Sequence, residues 1–335
     1  MVNIDFKKEL NEGQYAVVSA ELGPHLVLAG AGSGKTRTLV YRVAWLLSKQ
    51  VSADKILLLT FTNKAANEMI ARVKSLLHWS PDKKLSIWAG TFHSVANRLL
   101  RMYGEAVGVP KDFAIIDEDD KKALLKDIIK DFFSQLDLKR LPSPSVVNEI
   151  FSFATNSQIS IEEGLARKYS DWQPLLEYFE KIKVEFDKRK RLAKLLDFDD
   201  LLLYWYRLTE DHGVGELLAK KWEHVLVDEY QDTNTLQAKI IFNLARKHKN
   251  ILVVGDDAQS IYAFRGANIN NILNFQKDYA DVQTFRLEQN YRSTKNIVQA
   301  ANSIIDKNKT KLEKVVWTHN QDGPKIKVNR SITDG

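Results

Sequence analysis

LAGAGSGKTRTLV, residues 28–40, decides the fold. An apolar run leads into Gly30, Gly32 and Gly34, then Lys35 and Thr36, and then a helical pattern. Strand, glycine-rich loop and helix at this spacing read as a phosphate-binding loop made of Ala29, Gly30, Ala31, Gly32, Ser33, Gly34, Lys35 and Thr36. The strict pattern has glycine where Ala29 stands. Glycines let backbone amides turn inward around phosphates, and the helix N-terminus adds partial positive charge. Lys35 is expected to reach the terminal phosphates and the Thr36 hydroxyl to ligate Mg²⁺. The bland alternative is a glycine-rich turn with no ligand.

Working outward, short apolar runs recur between helical stretches: 25–29 (HLVLA), 55–60 (KILLLT), 86–90 (SIWAG), 223–228 (EHVLVD), 250–255 (NILVVG) and 282–287 (VQTFRL). Nearly continuous apolar runs suit strands covered on both faces. Their alternation with helices predicts an α/β fold on a parallel sheet with right-handed crossovers. The run 225–229, VLVDE, ends in two carboxylates. Asp228 is expected to hold Mg²⁺ and Glu229 to polarise an attacking water. Alone, the pair would read equally well as an acidic helix cap. TNKA at 62–65 lacks the aspartate of a guanine-reading loop, which disfavours a GTPase switch.

With 335 residues the chain should fold as two or three packed units. It is 44% hydrophobic and 27% charged, which suits a globular chain. It has no cysteine, which rules out disulfide or thiolate-metal frameworks and suits a reducing cytoplasm. The first fourteen residues lack the apolar core of a signal peptide, and no run approaches a membrane span, so no membrane partner is expected. A net charge of +6 and a pI of about 9.1 hint at a polyanionic partner.

The alternation breaks between about 106 and 196, which reads as helices only: 117–138, 145–155, 160–168 and 172–196. LPSPS (141–145) punctuates them with prolines expected to stop a helix. This is predicted to be a helical subdomain inserted between the third and fourth strands. Within it, KIKVEFDKRKRLAK (181–194) carries seven basic residues against two acids. It reads either as a phosphate-contacting face or as a solvated helix. DEDD (117–120) lacks calcium-loop spacing and reads as a helix cap, as do the acids of DFDDLL. The tail holds a helix over 294–307 and a strand-like IKVNRS.

Taken together the chain resembles the UvrD/PcrA/Rep group of superfamily 1 DNA helicases. The motifs are LNEGQ (10–14), AGAGSGKTRT (29–38), LTFTNKAANEM (59–69), GTFHS (90–94), DFDDLL (197–202), VDEYQDTN (227–234), GDDAQSIYAFRGA (255–267) and LEQNYRS (287–293). They fall in the family's order over residues 10–293. The resemblance implies a RecA-like P-loop NTPase domain over 1–105 and 197–290, a 1B-like helical insertion over 106–196, and the start of a second motor domain over 291–335. Members of the group run about twice this length by resemblance, so the chain alone is expected to be weakly active or inactive as a motor.

The resemblance also assigns roles. Gln14 is similar to the glutamine that reads the adenine edge, and Arg37 and Tyr291 to the pair that sandwiches the ring. Gln259 resembles the γ-phosphate sensor linked to the DNA site. Arg292 resembles the arginine that contacts the γ-phosphate, the bland alternative being a surface ion pair with Glu288. Phe61, His93, Tyr262, Phe264 and Arg265 match positions along the single-stranded DNA track, where aromatic rings stack on any base. The group usually has tryptophan where this chain has Phe264. The implied function is an ATP-dependent helicase or translocase using ATP and Mg²⁺ on single-stranded DNA and its junctions with duplex. The alternatives are a nucleotide-responsive DNA-binding module and the motor part of a helicase–nuclease. The oligomeric state stays open, with a monomer as the expectation.

Overall fold

In a computed structural model, residues 4–80, 82, 84–133, 141–263, 266–279 and 281–328 are described. In chain order the strands are β1 (Pro24–Ala29), β2 (Ile56–Thr60), β3 (Trp88–Thr91), β4 (Ala114–Ile115), β5 (Leu195–Leu196), β6 (His224–Val227), β7 (Ile251–Gly255) and β8 (Gln283–Leu287). Six of them form one sheet in the order β3-β2-β6-β7-β1-β8. Every pairing is parallel, as in Leu28 beside Gly255 and Leu59 beside Val227. Each apolar run of the sequence therefore became a strand of the same sheet.

The runs are continuous because alternate residues serve two cores. Leu26, Leu28, Leu57, Leu59, Val225, Val227, Ile251 and Val253 face one layer, which includes the helices Phe92–Tyr103, Phe198–Glu210 and Thr235–Ala245. Val27, Ala29, Ile56, Leu58, Leu226, Leu252 and Val254 face the other, with the helices Glu12–Ser19, Lys35–Ser48 and Asn63–Leu76. A strand sends successive side chains to opposite faces, so a sheet covered on both sides has no polar face.

The insertion has its own core of Leu125, Ile128, Val147, Ile150, Phe151, Leu165, Phe179, Ile182 and Phe186. Its helices are Glu118–Phe133, Pro144–Ser157, Ile161–Lys168 and Leu176–Leu192, the last preceded by a 3₁₀ stretch Ser170–Leu175 around Pro174. Residues 134–138 of the expected first helix lie outside the described residues. One expectation needs correction. The insertion is not purely helical, because β4 and β5 pair at its base. There Ala114 N donates to Lys194 O (2.9 Å) and Ile116 N to Leu196 O (2.9 Å). Lys194 adopts φ 52°, turning the chain from helix to strand. A two-residue strand carries no periodicity to read. The second proline of LPSPS opens a helix: Ser143 caps it, and Pro144, which needs no amide partner there, begins it. Whether the prolines also stop the preceding helix falls outside the described residues.

DFDDLL and DEDD act as caps, as expected. Asp197 and Asp200 form a capping box, and Asp117 Oδ1 accepts from the amides of Asp119 and Asp120. The same aspartates anchor the insertion. Lys190 Nζ lies 2.9 Å from Asp197 and 2.6 Å from Asp200, and Lys121 Nζ 2.9 Å from Asp199. The neighbouring Lys190 and Lys121 hold Asp197 down to about 2 against its burial. In the basic run, Lys181, Lys183, Lys188, Arg189, Lys190 and Lys194 all pair with carboxylates, while Arg191 is exposed. The tail helix spans Lys295–Ile305, but residues 326–328 form no strand. The rest of IKVNRS lies outside the described residues. Among the described residues no helix is long and apolar enough to cross a membrane.

Candidate nucleotide and nucleic-acid site

Parallel strands deliver all their outgoing loops to one edge, and ligands collect there. After β1 comes the phosphate loop, with Gly32 at φ 68° and Gly34 at φ 88°. A side chain at Gly34 would come within 2.7 Å of Gln14 Nε2, and one at Gly32 within 2.8 Å of Arg292 Cβ. The helix Lys35–Ser48 that follows has no side-chain cap. Its first amides are thus open to an anion. Ser33 is 1% exposed, and its hydroxyl has no hydrogen-bond partner. An orphaned hydroxyl and an uncapped helix in a glycine cradle fit a polyphosphate.

Two segments clamp this loop. Gln14 Nε2 donates to Ser33 O (3.1 Å). Asn290 Nδ2 donates to Ala31 O (2.6 Å), and Tyr291 N to Gly32 O (3.0 Å). Tyr291 is 49% exposed, its hydroxyl accepting from Asn11 Nδ2 (2.6 Å). Asn11 also caps the helix Glu12–Ser19 in a box with Gln14. Arg37 lies over the Tyr41 ring and donates to Glu9 O (2.8 Å). Arg292 is exposed and makes no ion pair among the described residues. Glu288 Oε1, its expected bland partner, instead accepts from Val315 N (2.8 Å).

Beyond β6 stand the carboxylates. Lys35 Nζ lies 3.1 Å from Glu229 Oε2. Glu229 holds a left-handed backbone, φ 50° and ψ 47°. A non-glycine residue there costs energy and marks sites where placement matters. Asp228 is buried, and burial followed by the neighbouring Glu229 charge pushes it up to about 7. Such a carboxylate suits a cation. Of the two residues expected to hold Mg²⁺, Asp228 is buried beside Glu229, and Thr36 stands in the first turn of the loop helix. Gln231, 1% exposed, ties the edge together. Its Nε2 donates to Glu229 Oε2 (2.9 Å) and Asp232 Oδ2 (3.2 Å), and its Oε1 accepts from Asp256 N (3.0 Å) at the end of β7. Gln259 Nε2 donates to Asp256 Oδ2 (2.5 Å).

The segments that follow β2, β3 and β7 bring the aromatics, His93 from the first turn of the helix Phe92–Tyr103. Phe61 (44% exposed) and Tyr262 stand 5.0 Å apart at 37°, and His93 meets Phe198 edge-on at 5.9 Å. Burial pushes the His93 imidazole down, against the opposing charge of Asp199. Phe264 and Arg265 lie outside the described residues. A cavity of about 490 Å³ runs from Phe61, His93 and Tyr262 to Asp228, Glu229 and Asp232. Ser152 and Asn156 of the insertion line it too; Asn156 Nδ2 donates to Asp199 Oδ1 (2.6 Å) and its Oδ1 accepts from Asn234 Nδ2 (2.8 Å).

Sequence reasoning missed Asn11, Gln231 and Phe198. Asn11 and Gln231 sit inside quoted motifs, and their signal was the polar residue three before Gln14 and two after Glu229. Phe198, 44% exposed beside His93, had only its place in DFDDLL to give it away.

Comparison with known proteins follows the same line. Residues 10–280 match the UvrD/REP helicase N-terminal domain and residues 285–334 the UvrD-like helicase C-terminal domain. The ATP-dependent DNA helicase PcrA of Staphylococcus epidermidis is 40% identical over 98% of this chain and 44% of that protein. PcrA of Leuconostoc citreum is 41% identical over 97% of this chain and 43% of its own length. PcrA of Staphylococcus aureus is 39% identical over 97% and 44%. The chain thus spans less than half the length of these curated relatives. With the N-terminal domain matched across the parallel sheet, the phosphate loop and the paired carboxylates, the chain belongs to the UvrD/REP helicase family.

Proposed function

We propose that this chain is the N-terminal, ATP- and single-stranded-DNA-binding portion of an ATP-driven DNA helicase or translocase. The observation that carries the proposal is one cavity joining the carboxylates beside the phosphate loop to the Phe61–Tyr262 ring pair. Nucleotide chemistry and base stacking then share a wall, as energy coupling requires. In this reading residues 1–105 and 197–290 form a first RecA-like motor domain, 106–196 an inserted 1B-like helical subdomain, and 291–335 the opening of a second motor domain. The setting is the cytoplasm, the acting species a monomer, and the preferred DNA single strands and their junctions with duplex.

Gln14 reads the adenine edge, and Arg37 and Tyr291 hold the ring. The loop amides of residues 29–36 and Lys35 bind the phosphates. Glu229 takes the proton from a water attacking the γ-phosphorus, while ADP departs with the bridging oxygen. Mg²⁺, held by Thr36 and Asp228, would supply charge neutralisation at the phosphates. Gln259 senses the terminal phosphate, and Arg292 stabilises its charge. Phe61, His93, Tyr262 and Phe264 offer rings to the bases, and Arg265 offers charge to the backbone.

The test is nucleotide binding and turnover with and without oligo-dT. Mg-ATP should bind in preference to Mg-GTP, and oligo-dT should raise ATP turnover. Indifference between ATP and GTP would remove Gln14 from its role. Because the chain alone is expected to turn over slowly or not at all, turnover is measured on a longer form as well; binding of both ligands with no hydrolysis there would favour a nucleotide-responsive DNA-binding module.

A further inference from the structure

At the end of β7 two adjacent carboxylates, Asp256 and Asp257, are buried together, 3% and 6% exposed. Two like charges in such a place need a cation. It comes from far along the chain: the Lys314 side chain, 4% exposed, places Nζ 2.8 Å from Asp256 Oδ1 and in contact with Asp257 Oδ1. Leu312 N adds a hydrogen bond to Asp257 Oδ2 (3.1 Å). By contrast, Lys311 pairs with Asp306 on the surface. Asp256 and Asp257 lie in the part of the chain that matches the N-terminal helicase domain, Lys314 in the part that matches the C-terminal one.

The Asp256 carboxylate is divided. One oxygen holds Lys314, and the other accepts from Gln259 Nε2. Its backbone amide is bound by Gln231, which also holds Glu229, itself paired with Lys35. A continuous chain of polar contacts thus runs from Lys35 to Lys314. We propose that Lys314 is a positioning residue for the nucleotide site: it fixes the Asp256 carboxylate that aims Gln259, and so joins the segment after the helix Lys295–Ile305 to the terminal-phosphate position. The proposal rests on the nucleotide-binding reading above. Removing the cation leaves two buried carboxylates facing each other with no counter-charge; they must move apart, and that frees Gln259 to turn. The coupling is reciprocal, so what Gln259 senses must also reach the 312–317 segment.

Hydrogen exchange read by mass spectrometry tests this on the chain itself, free and saturated with Mg-ATPγS, beside a calorimetric titration of the same nucleotide. In the wild type the nucleotide should slow exchange in 256–262 and in 312–317, about 5- to 10-fold. In Q259A, which leaves the buried triad intact but removes a side chain assigned to the terminal phosphate, the nucleotide should bind more weakly, and at saturation the protection of 312–317 should disappear. K314M should likewise bind nucleotide and lose the 312–317 response, and K314R, which keeps the charge, should retain it. A role for Lys314 in stability alone would leave the Q259A response at 312–317 unchanged, and that result overturns the proposal. So does a wild type that binds Mg-ATPγS with no change at 312–317. No calorimetric binding would instead bring down the nucleotide-site reading, and this proposal with it.

Discussion

The phosphate side and the ring side of the same sheet edge are built on opposite principles. Beside the phosphate loop almost every functional group is held by another. Lys35 meets Glu229, Gln231 spans Glu229 and Asp256, and Asp256 carries Gln259 and Lys314. On the ring side, Phe61 and Phe198 are each 44% exposed, and each meets one other ring, Tyr262 and His93 respectively. Charge must be pre-aimed in a dry place to act on a phosphoryl group, because water would otherwise screen it and reorganise. A stacking platform needs an open face and tolerates a loose mount, since every base has a π surface. The difference teaches where substitutions will act through geometry and where through lost contact area.

The sharpest break in the comparison is Glu229→Gln. The swap keeps shape and removes the carboxylate proposed to accept the water's proton. ATP turnover should fall about 10²- to 10⁴-fold with nucleotide affinity little changed. A coupled ATPase assay on a form with measurable turnover, beside a binding titration, checks it; unchanged turnover removes Glu229 from the role. Lys35→Ala comes next. It deletes the cation proposed to face the phosphates and leaves Glu229 with only its Gln231 hydrogen bond, so Mg-ATP affinity should drop about 10- to 150-fold. Equal affinity by calorimetry would sink the phosphate-loop assignment.

The four inner strands β1, β2, β6 and β7 were legible in the sequence because burial on both faces wrote each as a nearly unbroken apolar run, while the edge strands β3 and β8 are only partly buried. The loop was legible because glycine spacing is a backbone requirement. The β4–β5 pair was not, since two residues make no pattern. Nor were the ties between distant segments. Nothing in the order of residues says that Lys314 meets Asp256, or that Asn156 of the insertion meets Asn234. Such contacts depend on where separate elements finally lie. Motif readings placed Glu229 and Gln259 but left Gln231 without a role, because its contribution is to hold other side chains.

On the ring side the expected effects are smaller. Phe61→Ala removes one face of the Phe61–Tyr262 pair, and each base–aromatic stack is worth roughly 1–3 kcal/mol. Anisotropy with labelled oligo-dT should show binding weakened about 5- to 150-fold. Affinity should also fall with salt, with a log–log slope near −0.7 for each phosphate contacted. No change with Phe61→Ala, or binding indifferent to salt, would mean that the strand lies elsewhere. Nucleotide affinity should stay as it was, because Phe61 has no part in the phosphate network.

The smallest effect separates both functional sides from the scaffold behind them. His25 in β1 and His224, the first residue of β6, lie toward the start of their strands, away from the loops that carry the site. They are 2% and 7% exposed, and burial, with Arg42 adding repulsion, pushes each down to about 4. The unfolded chain protonates them near pH 6.5, the folded chain only near 4, so between those values the unfolded state binds more protons. The contribution of the two histidines to stability is therefore full above about pH 6.5 and is lost as the pH falls toward 4, at up to about 1.4 kcal/mol per pH unit for each. Asp228, pushed up to about 7, works in the opposite sense, so the His224 share is read as the difference in slope between wild type and variant in urea unfolding from about pH 7 to 5. His224→Gln should remove that share, up to about 1.4 kcal/mol per pH unit, whatever the substitution does to stability at pH 7. Mg-ATP affinity and oligo-dT affinity, measured at pH 7, should match the wild type. An unchanged slope would mean that His224 takes up its proton in the folded state as easily as in the unfolded one. A loss of either affinity would mean that the two ends of the sheet are not independent, and that the division between site and scaffold drawn here is false.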